Sequence, residues 1–169
     1  RFRALHEAPG AFVIPNPWDA GSARVLAGLG FEALATSSGA SAGILGRRDG
    51  KVTREEALAQ ARAIVAATDL PVSADLEKGF GDAPAVAAET IRLAAEVGLV
   101  GGSIEDATGD KDKPLYDIGL AVERVAAAGV GSAIARISQR VGGATPSETV
   151  SSISLCRRNT ASLTGSPSV

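Results

Sequence analysis

Two hydrophobic rhythms alternate along this chain. Short apolar runs, closed off by Pro, Gly or acidic residues, occupy AFVIPN (11–16), FEALATSSG (31–39), LPVSADLE (70–77), LVGGSIED (99–106) and GSAIARI (131–137), and predict five strands. The stretches between them space their apolar residues three and four apart and predict helices over 19–30, 53–68, 83–98 and 117–129. In the first of these, Ala20, Ala23, Val25, Leu26 and Leu29 fall at helical spacing, with Asp19 suited to the N-cap and Gly30 to the stop. Thr53 followed by Glu56 spells a capping box for the second. The third closes at Gly98.

Strict alternation of strand and helix implies a parallel sheet with right-handed crossovers. The polar residues gather at the carboxyl ends of the strands, where both TIM barrels and doubly wound sheets keep their chemistry. After Ile137 the rhythm stops. Residues 1–137 therefore read as the N-terminal part of a (β/α) barrel, and 138–169 as a divergent Ser/Thr/Gly-rich tail in which SETVSSISLCRR (147–158) can form one short helix. A closed (β/α)₈ barrel takes about 250 residues. The expected fold is thus α/β, a TIM-like barrel left incomplete with about five βα units, or a smaller open sheet.

The chain has 169 residues, is 45% hydrophobic and carries a formal net charge of −2, which gives no footing for nucleic-acid binding or a membrane surface. No apolar run reaches membrane-spanning length and no signal-peptide pattern opens the sequence, so a cytoplasmic location is expected. A single cysteine, Cys156, excludes an internal disulfide and a Cys-based metal cluster. Neither G-x-G-x-x-G nor a P-loop is present, which argues against a nucleotide site.

Chemistry concentrates in the strand ends. Asp75 and Glu77 stand two apart, which puts both on one face of an extended chain. Like charges so placed repel, so a positive partner or a solvated rim must accompany them. The other ends supply Ser37, Ser38 and Gly39, then a glycine-rich loop reaching Asp49; Glu105 and Asp106; and Arg136. Carboxylates converging on one rim cannot all ionise without a cation. A hard divalent ion with oxygen ligands fits, Mg²⁺ most simply and Mn²⁺ also, whereas the lack of His or Cys among them disfavours Zn²⁺. Ser37–Gly39 reads either as an ordinary turn or as an anion-binding nest. Asp82 and Asp106 read as caps or solvated loop residues, Trp18 and Asp19 as packing and capping, and His6 as part of an N-terminal lead-in.

With these residues in place, the chain resembles the isocitrate lyase and phosphoenolpyruvate mutase superfamily, in particular its phosphoenolpyruvate phosphonomutase-like branch. The resemblance rests on FVIPNPWDAGSARVLAGLGFEALATSSGA, GRRDGKVTREEAL, LPVSADLEKGFGD and GGSIEDATGDKDKPLYD, which together span most of residues 1–136. It implies a TIM-like barrel, assembly into a homo-oligomer, and Mg²⁺-dependent action on a small 2-oxo acid through an enolate as a C–C or P–C bond breaks. By the same resemblance Ser37, Ser38 and Gly39 take the substrate carboxylate. Asp49, Asp75 and Glu105 form the metal shell, some of them through water, and Arg136 grips the substrate near its reacting end. Arg136 and Asp49 are then the catalytic candidates.

The sequence departs from the lyases where their cysteine-bearing loop would stand: the stretch reads TGDKDKP (108–114). This points to phosphonate or oxo-acid chemistry rather than an isocitrate-type step. Two alternatives stay open. One is a catalytically inactive, incomplete relative that folds as an oligomer. The other is a Schiff-base aldolase, which needs an inward, desolvated lysine on a strand; Lys51, Lys78, Lys111 and Lys113 all read as loop residues.

Overall fold

Backbone pairing among the strands sets the frame on which everything else hangs. The computed structural model describes residues 1–130 and the backbone of 136–140 and 153–156. Its strands are β1 (Leu34–Ala35), β2 (Val72–Asp75), β3 (Gly101–Glu105), β4 (Arg136–Arg140) and β5 (Ile153–Cys156), in that order across one sheet. The first four run parallel, with Leu34 paired to Val72, Asp75 to Ser103 and Glu105 to Arg140. β5 lies antiparallel to β4, so residues 153–156 are extended where the sequence offered a short helix.

The helices are α1 (Phe2–Glu7), α2 (Ala20–Gly28), α3 (Ser38–Ile44), α4 (Arg54–Val65), α5 (Pro84–Glu96) and α6 (Ile118–Val130). Asp19 caps α2 as expected, its side chain accepting from Ser22 N while Ser22 answers the cap backbone. Thr53 and Glu56 form the capping box that opens α4. Pro84 at the first turn of α5 uses a position that has no intrahelical donor role. None of the helices among the described residues is long and apolar enough to cross a membrane.

Two expectations give way here. The segment AFVIPN is not a strand. Pro15 and Pro17 lack the N–H groups a ladder needs, and the segment is tied to β1 by one backbone bond, Ala35 N to Pro15 O (3.1 Å), and by Asn16 Nδ2 donating to Ala35 O (2.8 Å). Nor does the sheet contain five βα units. Among the described residues β1, β2 and β3 are each followed by helices that cover the sheet, and the sheet stays open.

Packing follows the two rhythms. On β2, Val72 and Ala74 are buried while Ser73 and Asp75 are only partly covered; on β3, Gly102 and Ile104 are buried while Ser103 and Glu105 are partly covered. α5 turns Ala87, Thr90, Ile91 and Ala94 inward, and α4 turns Leu58, Ala61 and Ile64 inward. With Leu34, Val72, Leu76 and Ile104 these form the core between sheet and helices. The opposite face of the sheet is stoppered by Phe2 of α1. A Cβ on Gly101 would stand 2.8 Å from the Phe2 ring and 2.9 Å from Ser73 Oγ, so only glycine admits the ring there.

Since Ile91 is fully buried in this core, Ile91→Ala should lower the unfolding free energy by about 2–5 kcal/mol. Denaturant titration checks this; a change within the range of a surface substitution would contradict the packing.

Candidate functional site

The ladder between β2 and β3 runs on past the strands themselves. Leu76 N donates to Ser103 O (3.3 Å) and Glu105 N to Glu77 O (2.8 Å), so the backbones of Glu77 and Glu105 meet at the carboxyl edge of the sheet. One step across, β1 delivers Thr36 and Ser37. The buried Thr36 hydroxyl accepts from Asp75 N (3.1 Å), fixing how far Asp75 protrudes. The Asp75 carboxylate is then held at both oxygens: Oδ2 accepts from Ser38 N (3.1 Å) and Oδ1 from Glu77 N (3.0 Å).

Ser37 caps α3, so the glycine-rich stretch begins as a helical turn over Ser38–Ile44 rather than as a loop. The turn brings Asp49 back to the same edge. Its Oδ2 lies 3.8 Å from where a Cβ of Gly39 would be, and Ser37 Oγ lies equally close, so Gly39 is flanked by both. Asp49 Oδ1 accepts from Gly50 N (3.0 Å).

Glu77 ties these groups into one electrostatic unit. Its carboxyl pKa is raised from the ordinary 4.5 to about 7, first because burial penalises the charged form, then because the carboxylates of Asp49, Asp75 and Glu105 repel it; Lys78 opposes this only in part. Four acids from three segments thus share one field. The resemblance singled out Asp49, Asp75 and Glu105 as a metal shell, and Glu77 stands with them; its sequence signal was the two-residue spacing from Asp75, although β2 ends at Asp75 and Glu77 (φ 48°) is not extended as that spacing assumed.

Every donor in this set is a carboxylate oxygen, and repulsion of the kind that raises Glu77 is what a hard divalent cation relieves. Among the described residues no three acidic, His or Cys side chains stand close enough to enclose a metal by themselves. The arrangement suits an ion that keeps part of its water shell, as Mg²⁺ does.

Arg136 opens β4. The register pairs Ile137 with Gly102 and Arg140 with Glu105, so Arg136 starts the strand at the end away from Glu105 and not at its carboxyl end, where the expected strand over 131–137 put it; residues 131–135 and the Arg136 side chain lie outside the described residues. His6 is a packing residue, its ring edge-on to Phe2 and Phe12 and its Nδ1 2.9 Å from Phe2 O. Trp18 is 58% exposed and so does not pack as expected, although its carbonyl accepts from Gln60 Nε2 (2.6 Å). Asp106 is buried, not solvated. Lys78, the lysine next to Glu77, is committed to Asp82 Oδ1 and Thr108 O (2.8 Å each), so it is an ion-paired cation rather than a free amine.

Comparisons with known proteins identify the family and the fold. A family model described as phosphoenolpyruvate phosphomutase matches residues 2–138. The crystal structure of a putative lyase/mutase from Burkholderia cenocepacia J2315 superposes with a TM-score of 0.79 at 56% identity, covering 83% of this chain and 52% of that one. 2,3-Dimethylmalate lyase of Eubacterium barkeri is 39% identical over 108 residues, 63% of this chain and 37% of that protein. A phosphonopyruvate hydrolase solved with oxalate and Mg²⁺ shares the fold (TM-score 0.78) at 22% identity, covering 83% of this chain and 50% of its own. The chain spans about half the length of the curated relatives it matches.

The raised Glu77 pKa has a signed consequence. Between pH 4.5 and about 7 the folded protein holds a proton that the unfolded chain has released. Metal-free stability should therefore fall as pH rises through this window. Glu77→Gln should flatten that slope. Thermal melts across this pH range test it; the same slope in the variant would show that Glu77 is not its source.

Proposed function

The chain belongs to the phosphoenolpyruvate mutase and isocitrate lyase superfamily, and we propose that its carboxylate cluster holds Mg²⁺ and serves a reaction on a small 2-oxo acid. The observation that carries this reading is the convergence of Asp49, Asp75, Glu77 and Glu105, with Glu77 pushed up to about 7 by burial first and then by the charge of its three neighbours. Asp75 is the best-anchored oxygen donor of the four, since Ser38 N and Glu77 N fix both of its oxygens. Asp49, Glu77 and Glu105 would hold the ion's water shell around it. When bound, Mg²⁺ supplies Lewis-acid stabilisation of negative charge building on a substrate oxygen.

The remaining roles fall to the chain's own groups. Gly39 lies beside both Asp49 and Ser37 Oγ, and with Ser37 and Ser38 it would orient a substrate carboxylate beside the metal site. The resemblance alone gives the Arg136 guanidinium the role of gripping the reacting end of the substrate and offsetting its charge; β4 starts at Arg136, at the end away from Glu105, and its register lends that role no support. The stretch from Thr108 to Pro114 has no cysteine to act as a thiol acid, which supports oxo-acid or phosphonate chemistry over an isocitrate-type cleavage. The bond broken is C–C or P–C, in keeping with a family that contains both mutases and lyases. Val25, Leu29, Ile118 and Val122 leave apolar surface exposed on α2 and α6, which supports assembly into a homo-oligomer.

Oxalate tests the substrate reading, because its two carboxylates imitate a planar enolate of a 2-oxo acid. Calorimetry should show oxalate binding only when Mg²⁺ is present, and Asp75→Ala should lose the metal. Arg136→Ala should keep the metal and weaken oxalate roughly tenfold to a hundredfold, the worth of a charge-assisted contact. Oxalate binding without metal, or metal affinity unchanged in Asp75→Ala, would contradict the assignment.

A further inference from the structure

The loop from Glu77 to Asp82 is strained and closely pinned. Glu77 (φ 48°) and Phe80 (φ 60°) both sit in the left-handed region without being glycine, a conformation that persists only when the surroundings impose it. Between them Gly79 (φ 78°) packs so near α5 that a Cβ would stand 3.2 Å from Ala87 Cα. What imposes the conformation is visible in the fate of the loop's carbonyl groups. Leu76 O accepts from Gly79 N (2.8 Å), Glu77 O from Glu105 N (2.8 Å) and Gly79 O from the buried Thr90 hydroxyl (2.8 Å). The carbonyls of Lys78, Gly81 and Asp82 all accept from one side chain, Arg124 of α6, the Gly81 contact being 2.7 Å.

Arg124 is only 1% exposed. A buried cation is costly unless it is fully engaged, and the groups facing this one are those three carbonyls and the Tyr116 ring, 4.3 Å from the guanidinium carbon. Tyr116 OH in turn donates to Asp82 Oδ1 (2.6 Å), which also takes Lys78 Nζ, and Lys78 donates to Thr108 O. The segments that follow β2 and β3, one carrying Glu77 and the other following Glu105, thus meet directly through Tyr116–Asp82 and Lys78–Thr108, and the buried Arg124 guanidinium underpins that junction from α6.

We infer that Arg124 is the positioning residue of the acidic site: it holds the Glu77–Asp82 loop in its strained form so that Glu77 faces Asp49, Asp75 and Glu105. It touches neither substrate nor metal. The three carbonyls demand a flat donor with several N–H groups spread in a plane, which lysine cannot imitate. The inference about metal affinity rests on the reading of the cluster as a divalent-ion site, whereas the clamp itself can be examined without any metal.

The experiment compares wild type, Arg124→Lys and Tyr116→Leu by two measurements. Amide hydrogen exchange on the metal-free proteins should show faster exchange confined to residues 76–82 and 106–116 in both variants, with the α4 and α5 amides unchanged. Mn²⁺ binding, followed by electron paramagnetic resonance, should weaken about 10–100-fold in Arg124→Lys, the usual cost of losing a group that orients metal-binding residues. Unchanged loop exchange in Arg124→Lys would overturn the inference, as would loosened loops with unaltered Mn²⁺ affinity. If Arg124→Lys does not fold, Tyr116→Leu decides: unaltered exchange over 76–82 in that variant overturns the clamp. Should wild type itself take up no Mn²⁺, the metal reading falls, and the exchange data still judge whether Arg124 fixes the loop.

Discussion

Repulsion among four carboxylates is the constraint on which the rest of the arrangement depends. Asp75 and Glu105 end paired parallel strands, Glu77 follows in the loop bonded to Glu105, and Asp49 returns to the same edge after α3. The fold absorbs part of this conflict through backbone N–H groups on Asp75 and a raised pKa on Glu77. What it leaves uncompensated defines the chemistry the site can accept. In the proposed reading a cation completes it, and an anionic substrate would be drawn in only once that cation is present.

Rigidity is arranged in step with this charge. The hydrophobic layer of Leu34, Val72, Ile91 and Ile104 fixes the strands, but the acidic edge lies beyond the strands' regular hydrogen bonds. There the backbone is held by side chains instead: Thr36 on Asp75, Thr90 on Gly79, Arg124 on three carbonyls. Each of these is buried, so the loop that presents Glu77 is braced from the core side and leaves its acidic side available.

Much of this was legible in the residues, and the gaps have physical reasons. Asp75 and Glu105 were readable because each ends a short apolar run, and the capping box at Thr53 and Glu56 stood where the pattern put it. AFVIPN misled because its apolar content is that of a strand while its prolines remove the donors a strand needs. Ser38–Ile44 escaped notice because Ser-Ser-Gly is read as a turn, although Ser37 is also a good helix cap. Arg124 stood with Ala121 and Ala128 on one helical stripe. Its partners there are backbone carbonyls 42–46 residues away, which no local pattern records.

The central claim concerns the ionisation of one carboxyl, and it can be watched directly. Glutamate side-chain carbons can be followed by NMR through a pH titration, with Glu77 assigned by comparison with Glu77→Gln. In metal-free protein Glu77 should titrate near 7, and saturating Mg²⁺ should bring its midpoint down as the cation offsets the surrounding carboxylates. A midpoint in the ordinary glutamate range that is indifferent to Mg²⁺ would contradict the account, because the four acids would then share neither a field nor a metal.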